Sequence, residues 1–353
     1  MSHSVTMNDV ARRVGVHRAT VSNVLNGRLK SQRSDAARRA AEIRRVAEEM
    51  GYRPSVAARA TRTGKTGFIG MIRSPQLSRS VHAPLFESAM DEALHQRGFC
   101  LVRDIIDDDA DEAPRIVRER VVDGLIVNYA FGTPRPVREV LDRCRVPAVW
   151  VNRRREANCV HPADEPAGRT AAESLLSLGH RHIAYVRLHG EDVYGGEQHY
   201  SGSAREAGYA AAMIDAGLVP RVERFQPPRG GTHFRRSWIL RSMLDVLNRP
   251  DRPTALVCSS HGREAVHAAA VVGLNVPDDV SVFTFDDDAA GDQAVAVDRL
   301  LTPYAAMARA AMGALFELID RPDQPLPPVA LPFEFHRTGT VAPPRPCHSP
   351  TPL

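Results

Sequence analysis

The sequence predicts a small all-α head carrying a helix-turn-helix, followed by an α/β body of two lobes built on doubly wound parallel sheets. Three observations lead there: two short amphipathic segments joined at a glycine, a change of hydrophobic period near residue 66, and unevenly spread charge. Residues 1–65 hold fourteen Lys or Arg against five Asp or Glu, so a head of +9 adjoins a body of −5 in a chain whose net charge is +4. A basic head on a mildly acidic body is the footprint of a nucleic-acid module joined to something else, because phosphates supply most of the attraction in such complexes.

In residues 6–14, TMNDVARRV, the side chains Met7, Val10, Ala11 and Val14 recur at helical spacing, with Thr6 or Asn8 available as a cap. Gly15 permits a tight turn. Val16, Val21, Val24 and Leu25 then form the buried side of a second helix ending at Asn26-Gly27 and leaving Arg18, Ala19, Ser22 and Asn23 outward. A third helix is expected over about residues 35–50, with Ala36, Ala40, Ile43, Val46, Ala47 and Met50 as its stripe and Gly51 as its stop. Residues 54–65 are too few and too polar to hold a core and read as a linker, helical only with help. The expected organisation is therefore residues 1–53 as a helix-turn-helix domain, 54–65 as a hinge segment, 66–340 as the two-lobed body and 341–353 as a proline-rich disordered tail.

In the body, apolar runs at 67–72, 124–130, 147–152, 182–188, 254–259 and 280–287 alternate with helical stretches at 84–97, 165–178, 204–216, 235–248 and 262–272. That alternation implies parallel sheets covered on both faces. The return segment 299–318 begins Leu300-Leu301-Thr302-Pro303, as a crossing between lobes would. Ligands of open parallel sheets bind beyond the carboxyl ends of the strands, which makes Asn128, Asn152 and Asp286 pocket candidates.

Composition excludes several classes. At 353 residues, 43% hydrophobic and 25% charged, the chain is ordinary globular material of two or three domains. Its five cysteines are scattered and never spaced as CxxC, which predicts reduced thiols and no zinc module. No apolar leader and no run near eighteen apolar residues is found, so a cytoplasmic protein is expected.

A recognition helix must present short polar or bidentate side chains to base edges while its other side packs, and Arg18, Thr20, Ser22 and Asn23 suit that task. With TMNDVARRVGVHRATVSNVLNG, MGYRP, AARA and TGFIGMI in that order, the N-terminal part resembles the DNA-binding domain and hinge of the lactose-repressor/galactose-repressor (LacI/GalR) family of transcriptional regulators. The likeness continues through VVDGLIVNYA, VPAVWVNRR, SLLSLGHRHIAYV, AREAGY, GLNVPDDVSVFTFDDD and HRTGTVAPP. The resemblance implies a body of the periplasmic-binding-protein type. It implies that Thr6, Thr20, Ser22 and Asn26 hold phosphates, that Arg18, Ala19 and Asn23 read bases, that Tyr52 belongs to the DNA-facing set, and that Ala58, Arg59 and Thr61 lie at the minor groove. It further implies that Asn128, Asn152, Arg205 and Asp286 hydrogen-bond a small polar effector, with His82 and Phe86 lining its other side.

The sequence departs from the family pattern at several points. His17 stands where Ser usually caps the recognition helix, and the stretch between Asn26 and Tyr52 is about four residues longer than usual. Thr61 occupies the hinge position where the family inserts Leu as an apolar wedge. Ser260-His261 replaces a common Asn-Asp, so no relative's effector carries over.

Catalytic look-alikes fail. TGKTG at 63–67 lacks the first glycine and the preceding strand of a phosphate loop. His180 and His182 lack a third metal ligand, Asp286-Asp287-Asp288 reads as a solvated strand end, and no G-x-S-x-G occurs. The expectation is a cytoplasmic transcriptional regulator, a repressor and not an enzyme, with no cofactor or metal. It would bind a palindromic operator as a homodimer, since the tail is proline-rich where the family's tetramers have a leucine-rich helix, and its DNA affinity would respond to a sugar-like or nucleobase-like effector between the lobes. The alternative is a small-solute-binding module of the periplasmic type without a DNA role; the basic head and missing leader oppose it.

Overall fold

The computed structural model describes residues 5–26, 34–53, 60, 61, 63–75, 81, 83–107, 110–129, 132–188, 193, 194, 197–226, 235–287 and 296–345. The chain divides into two compact units, Met1–Gly67 and Phe68–Leu353.

In the first unit, α1 (Met7–Val14) and α2 (Arg18–Leu25) flank Gly15, whose φ of 72° is left-handed backbone that a side chain would strain. With α3 (Ser34–Glu49) they enclose Val10, Ala11, Val21, Val24, Ala40, Ile43, Val46 and Ala47. Val14, Val16, Leu25, Met50 and Tyr52 pack around that core.

The second unit holds two six-stranded sheets. The first contains β1 (Phe68–Arg73), β2 (Cys100–Ile105), β3 (Gly124–Asn128), β4 (Ala148–Val151), β5 (Cys159–Pro162) and β13 (Val329–Leu331), in spatial order β13-β5-β4-β3-β1-β2 and parallel throughout. The second contains β6 (Ile183–Leu188), β9 (Arg221–Phe225), β10 (Ala255–Cys258), β11 (Ser281–Asp286), β12 (Asp298–Leu301) and β14 (Glu334–His336), in order β14-β12-β11-β10-β6-β9, with only β14 antiparallel. A short antiparallel pair, β7 (Val193–Tyr194) and β8 (Glu197–Gln198), stands apart.

Helices cover both faces of each sheet, as near-continuous apolar strands require. On the first sheet, α4 (Pro84–Arg97) and α11 (Tyr304–Asp320) bury one face, while α5 (Arg115–Arg118) and α6 (Arg135–Cys144) bury the face carrying Trp150. On the second, α9 (Arg235–Leu247) and α10 (Gly262–Val271) cover one face, and α7 (Asp164–Ser177) and α8 (Tyr200–Asp215) the other. The chain passes between lobes at three places: from β5 into α7, from β12 into α11, and from β13 into β14.

The six interior runs foreseen in the sequence are β1, β3, β4, β6, β10 and β11. Of the sheet strands it does not announce, β2, β9, β13 and β14 lie at edges, while β5 and β12 are interior. Edge strand β2 has a mostly exposed or half-exposed pattern, β9 alternates charge as RVERF, and β5 ends at a proline.

Helices α7 and α8 touch backbone to backbone. A Cβ on Gly168 would lie 1.9 Å from the Arg205 carbonyl oxygen, and one on Gly208 would lie 1.9 Å from that of Glu165. The two glycines are reciprocal, each admitting the other helix's main chain.

The C-terminal stretch straps the second lobe. One carboxylate oxygen of the buried Asp298 accepts from the backbone N–H groups of Thr338, Gly339 and Thr340 and from the Thr338 hydroxyl, at 2.7 to 3.1 Å. Farther on, Nε2 of the buried His180 donates to the Ala342 carbonyl at 2.8 Å, while Nδ1 meets the Thr254 hydroxyl at 2.9 Å. Burial holds this imidazole below the ordinary histidine range, although the bond to Ala342 opposes the shift. A folded-state pKa below the unfolded one makes the histidine's contribution complete above about pH 6.5 and progressively lost as pH falls below it. Urea midpoints measured at about pH 7.5 and about pH 5.5 should fall more for wild type than for His180→Gln; equal falls would contradict this.

Candidate nucleic-acid interface and interlobe site

Thr6 caps α1 through a reciprocal box. Its hydroxyl accepts from the Asp9 N–H at 3.4 Å, while the Asp9 carboxylate accepts from the Thr6 N–H at 3.0 Å and the Thr6 hydroxyl at 2.7 Å. A phosphate arriving at Thr6, as the sequence leads one to expect, therefore competes with a carboxylate of the protein itself. His17 does cap α2: its Nδ1 accepts from the Ala19 N–H at 3.3 Å, so the ring substitutes for the usual hydroxyl.

On α2, Val21 and Val24 are buried, whereas Arg18, Ala19 and Asn23 are exposed and Thr20 and Ser22 half-buried. The Asn26 side-chain amide turns back to donate to the Ser22 carbonyl and, at 3.2 Å, to the Ser22 hydroxyl. Two residues expected to hold phosphates are thus bonded to one another. Tyr52 packs on the three-helix core, and its N–H donates to the Ala47 carbonyl at 2.8 Å. Thr61 is exposed. Ala58 and Arg59 lie outside the described residues, as does His82.

In the second unit the expected effector residues fall into two groups. Asn128 ends β3, fully buried; its Oδ1 accepts from the Val81 N–H at 2.7 Å and its Nδ2 donates to the Val81 carbonyl at 2.8 Å. This two-way pair fixes the approach to α4. Phe86, on α4, is 1% exposed and belongs to the first lobe's core, so in this conformation it presents no open wall.

The second group converges where the lobes join. Asn152, just past β4, adopts a left-handed φ of 56°, and its carbonyl accepts from His199 Nε2 at 2.9 Å. Nδ1 of His199 lies 2.7 Å from the Ser201 hydroxyl and accepts weakly from the Ser201 N–H, capping α8. The adjacent Tyr200 ring lies 4.6 Å from that of His199 and beneath the guanidinium of Arg154. Burial and the neighbouring Asp164 carboxylate push the Tyr200 phenol above its ordinary range.

Asp164, the first residue of α7, is fully buried, and its Oδ1 accepts from Arg205 Nε at 2.7 Å. The Arg205 guanidinium lies 4.7 Å from the Phe285 ring centroid and 5.1 Å from that of Phe333. Burial opposes its charge, but Asp164 and Asp287 more than compensate and keep it protonated. Asp286 ends β11 and pairs with Arg263 at 3.3 Å, while Asp287 accepts from the Thr302 hydroxyl at 2.7 Å. Contacts therefore run from Asn152 through His199 to Tyr200, whose hydroxyl lies near the Asp164 carboxylate that holds Arg205, with Asp287 beyond it. Asp164, His199 and Tyr200 escape the sequence reading because each follows a short strand that it does not anticipate.

Among the described residues, no cluster of three or more His, Cys, Asp or Glu is arranged to hold a metal ion, and no helix is long and apolar enough to cross a membrane.

Residues 6–55 match the family model for bacterial regulatory proteins of the lacI family, and residues 172–340 match that for the periplasmic binding protein-like domain. The HTH-type transcriptional repressor PurR of Erwinia tasmaniensis is 28% identical over 300 residues, spanning 80% of either chain. Catabolite control protein A of Priestia megaterium is 28% identical over 292 residues, spanning 80% of this chain and 83% of its own. A solved lac repressor dimer, bound to operator and the anti-inducer ONPF, resembles this fold with a TM-score of 0.74 at 22% identity, over 96% of this chain and 100% of that one.

Proposed function

From the match of residues 6–55 to the lacI family of bacterial regulatory proteins, we propose that the chain is a transcriptional repressor of that family that grips operator DNA through α2 and answers to a small polar effector held between its lobes. The observation that carries the DNA half is α2 itself, whose buried Val21 and Val24 turn Arg18, Ala19 and Asn23 to solvent in a head of net +9. Arg18 and Asn23 have the donors that bidentate base contacts require, and Thr6, Thr20 and Ser22 serve the phosphates once Asp9 and Asn26 release them. Tyr52, Ala58, Arg59 and Thr61 complete the surface on the DNA. With Thr61 in place of an apolar wedge, the duplex is kinked less than by a leucine.

Two copies paired through their bodies would align two heads on a palindromic operator. The operator-bound lac repressor dimer, which shares this fold, supports that assembly. Effector contact through Asn152, Arg205 and Asp286, with Asn128, His82 and Phe86 shaping the first lobe's side, biases the lobes and through them the grip on DNA, a coupling of about 1–3 kcal/mol. The solute-binding reading is not favoured, because residues 6–55 match DNA-binding regulators.

The test is retention of the full chain on mixed duplex DNA, with affinity falling as salt is raised. Sites selected from random duplex should bind wild type more tightly than Arg18→Ala by about 1–3 kcal/mol, with base preference relaxed at one position per half-site. Absence of low-salt retention would defeat the repressor reading.

A further inference from the structure

Resting on the reading of the interlobe site as an effector site, we propose that Asp164 sets its charge selectivity: it neutralises Arg205, so the site takes an uncharged, hydroxyl-bearing ligand and refuses phosphorylated or carboxylate ones. A lone buried guanidinium would be an anion receptor, but this one already has its carboxylate, fully buried and 2.7 Å away. The surrounding charges lean the same way. Asp287 lies close enough to influence Arg205, Asp286 is matched by Arg263, and the nearby Arg154 sits exposed over the Tyr200 ring. An incoming anion would have to shed its water and then face carboxylates, a combination that proteins use to exclude ligands.

The same residues say what is accepted. Asp164 Oδ2 and the Tyr200 hydroxyl are both buried and lie near one another, yet neither completes a well-formed hydrogen bond with a described residue. A carboxylate oxygen only accepts, and a phenol both donates and accepts, so the complementary group is a hydroxyl, which donates to Asp164 and can exchange with Tyr200. Buried polar atoms left unmatched are costly, which makes such a ligand group favourable there.

The decisive probe is inorganic phosphate, followed by thermal shift at constant ionic strength on the full chain. Wild type should show no stabilisation beyond that of chloride. Asp164→Asn, which keeps an acceptor for Arg205 Nε but removes the charge, should bind phosphate at least tenfold more tightly, and adding Arg205→Gln should abolish the gain. Phosphate binding by wild type that Arg205→Gln removes would overturn the proposal without any variant at Asp164, and so would an Asp164→Asn protein that melts cooperatively but gains no phosphate affinity. Paired sugars give a second arm on wild type: any case in which ribose 5-phosphate or galacturonate binds more tightly than ribose or galactose refutes the selectivity. DNA retention on the same preparations separates the two readings, since its loss defeats the repressor and leaves the charge selectivity standing.

Discussion

Gly168→Ala is expected to destabilise the second unit by about 3 kcal/mol, at the upper end of overpacking costs, even though alanine is the better helix former by about 1 kcal/mol. The added methyl would meet the Arg205 carbonyl oxygen at 1.9 Å. A main-chain oxygen cannot rotate aside as a side chain would, so α7 and α8 must separate. Separation strips Ala167, Ala171 and Leu175 from the apolar face they share with Tyr209, Ala212 and Met213. It also pulls at the Asp164–Arg205 pair, because Asp164 lies one helical turn before Gly168 and Arg205 just under one turn before Gly208. Scanning calorimetry should register a fall of roughly 6 °C or more. Gly313→Ala, inside α11 where the new methyl would meet nothing within 4 Å, is the control and should lose no stability and gain up to about 1 kcal/mol. Similar melting of the two variants would show that the helices do not cross at this distance.

The second large loss is expected from Arg205→Met. Removing the guanidinium strands a fully buried carboxylate, a change that typically costs about 3–5 kcal/mol. The pair itself need not be worth that much, because both ions lost their water when they were buried. The double variant Asp164→Leu/Arg205→Met should accordingly recover most of the stability lost by Arg205→Met alone, as read by urea unfolding. A double variant as unstable as the single would mean that the side chains matter for packing and not for charge. The result also governs any functional use of Arg205 variants: a lost effector response is interpretable only beside a stability measurement, since the same side chain holds two helices together.

Much of this arrangement was legible before any coordinates. The three-helix head follows from Gly15 and the spacing of Val10, Val21 and Val24, and the interior strands follow from apolar runs that burial on both faces demands. Asn152 and Asp286 were marked by the rule that ligands gather at strand ends, and Arg205 only by the family resemblance. Their counterparts were not. Asp164 carries no local pattern, being an acid at a helix start like many others, and its meaning arises only when α8 brings Arg205 across 41 positions of sequence. Asn128 illustrates the opposite failure. The strand-end rule marks it as a pocket candidate, but does not foresee that Val81 occupies its amide in this conformation.

The three passages between lobes also dictate an order of birth. The first sheet needs β13 at residues 329–331, and its core needs α11, which begins at Tyr304. Neither lobe is continuous in sequence: β6 to β12 intervene before the first lobe acquires its last strand, and β14 closes the second only afterward. On a ribosome the head, complete by Glu49, folds early from local contacts, whereas the first lobe waits with the apolar undersides of β1, β3 and β4 uncovered until nearly the whole chain has emerged. Such a nascent chain holds a folded helix-turn-helix head long before either lobe of its body is complete.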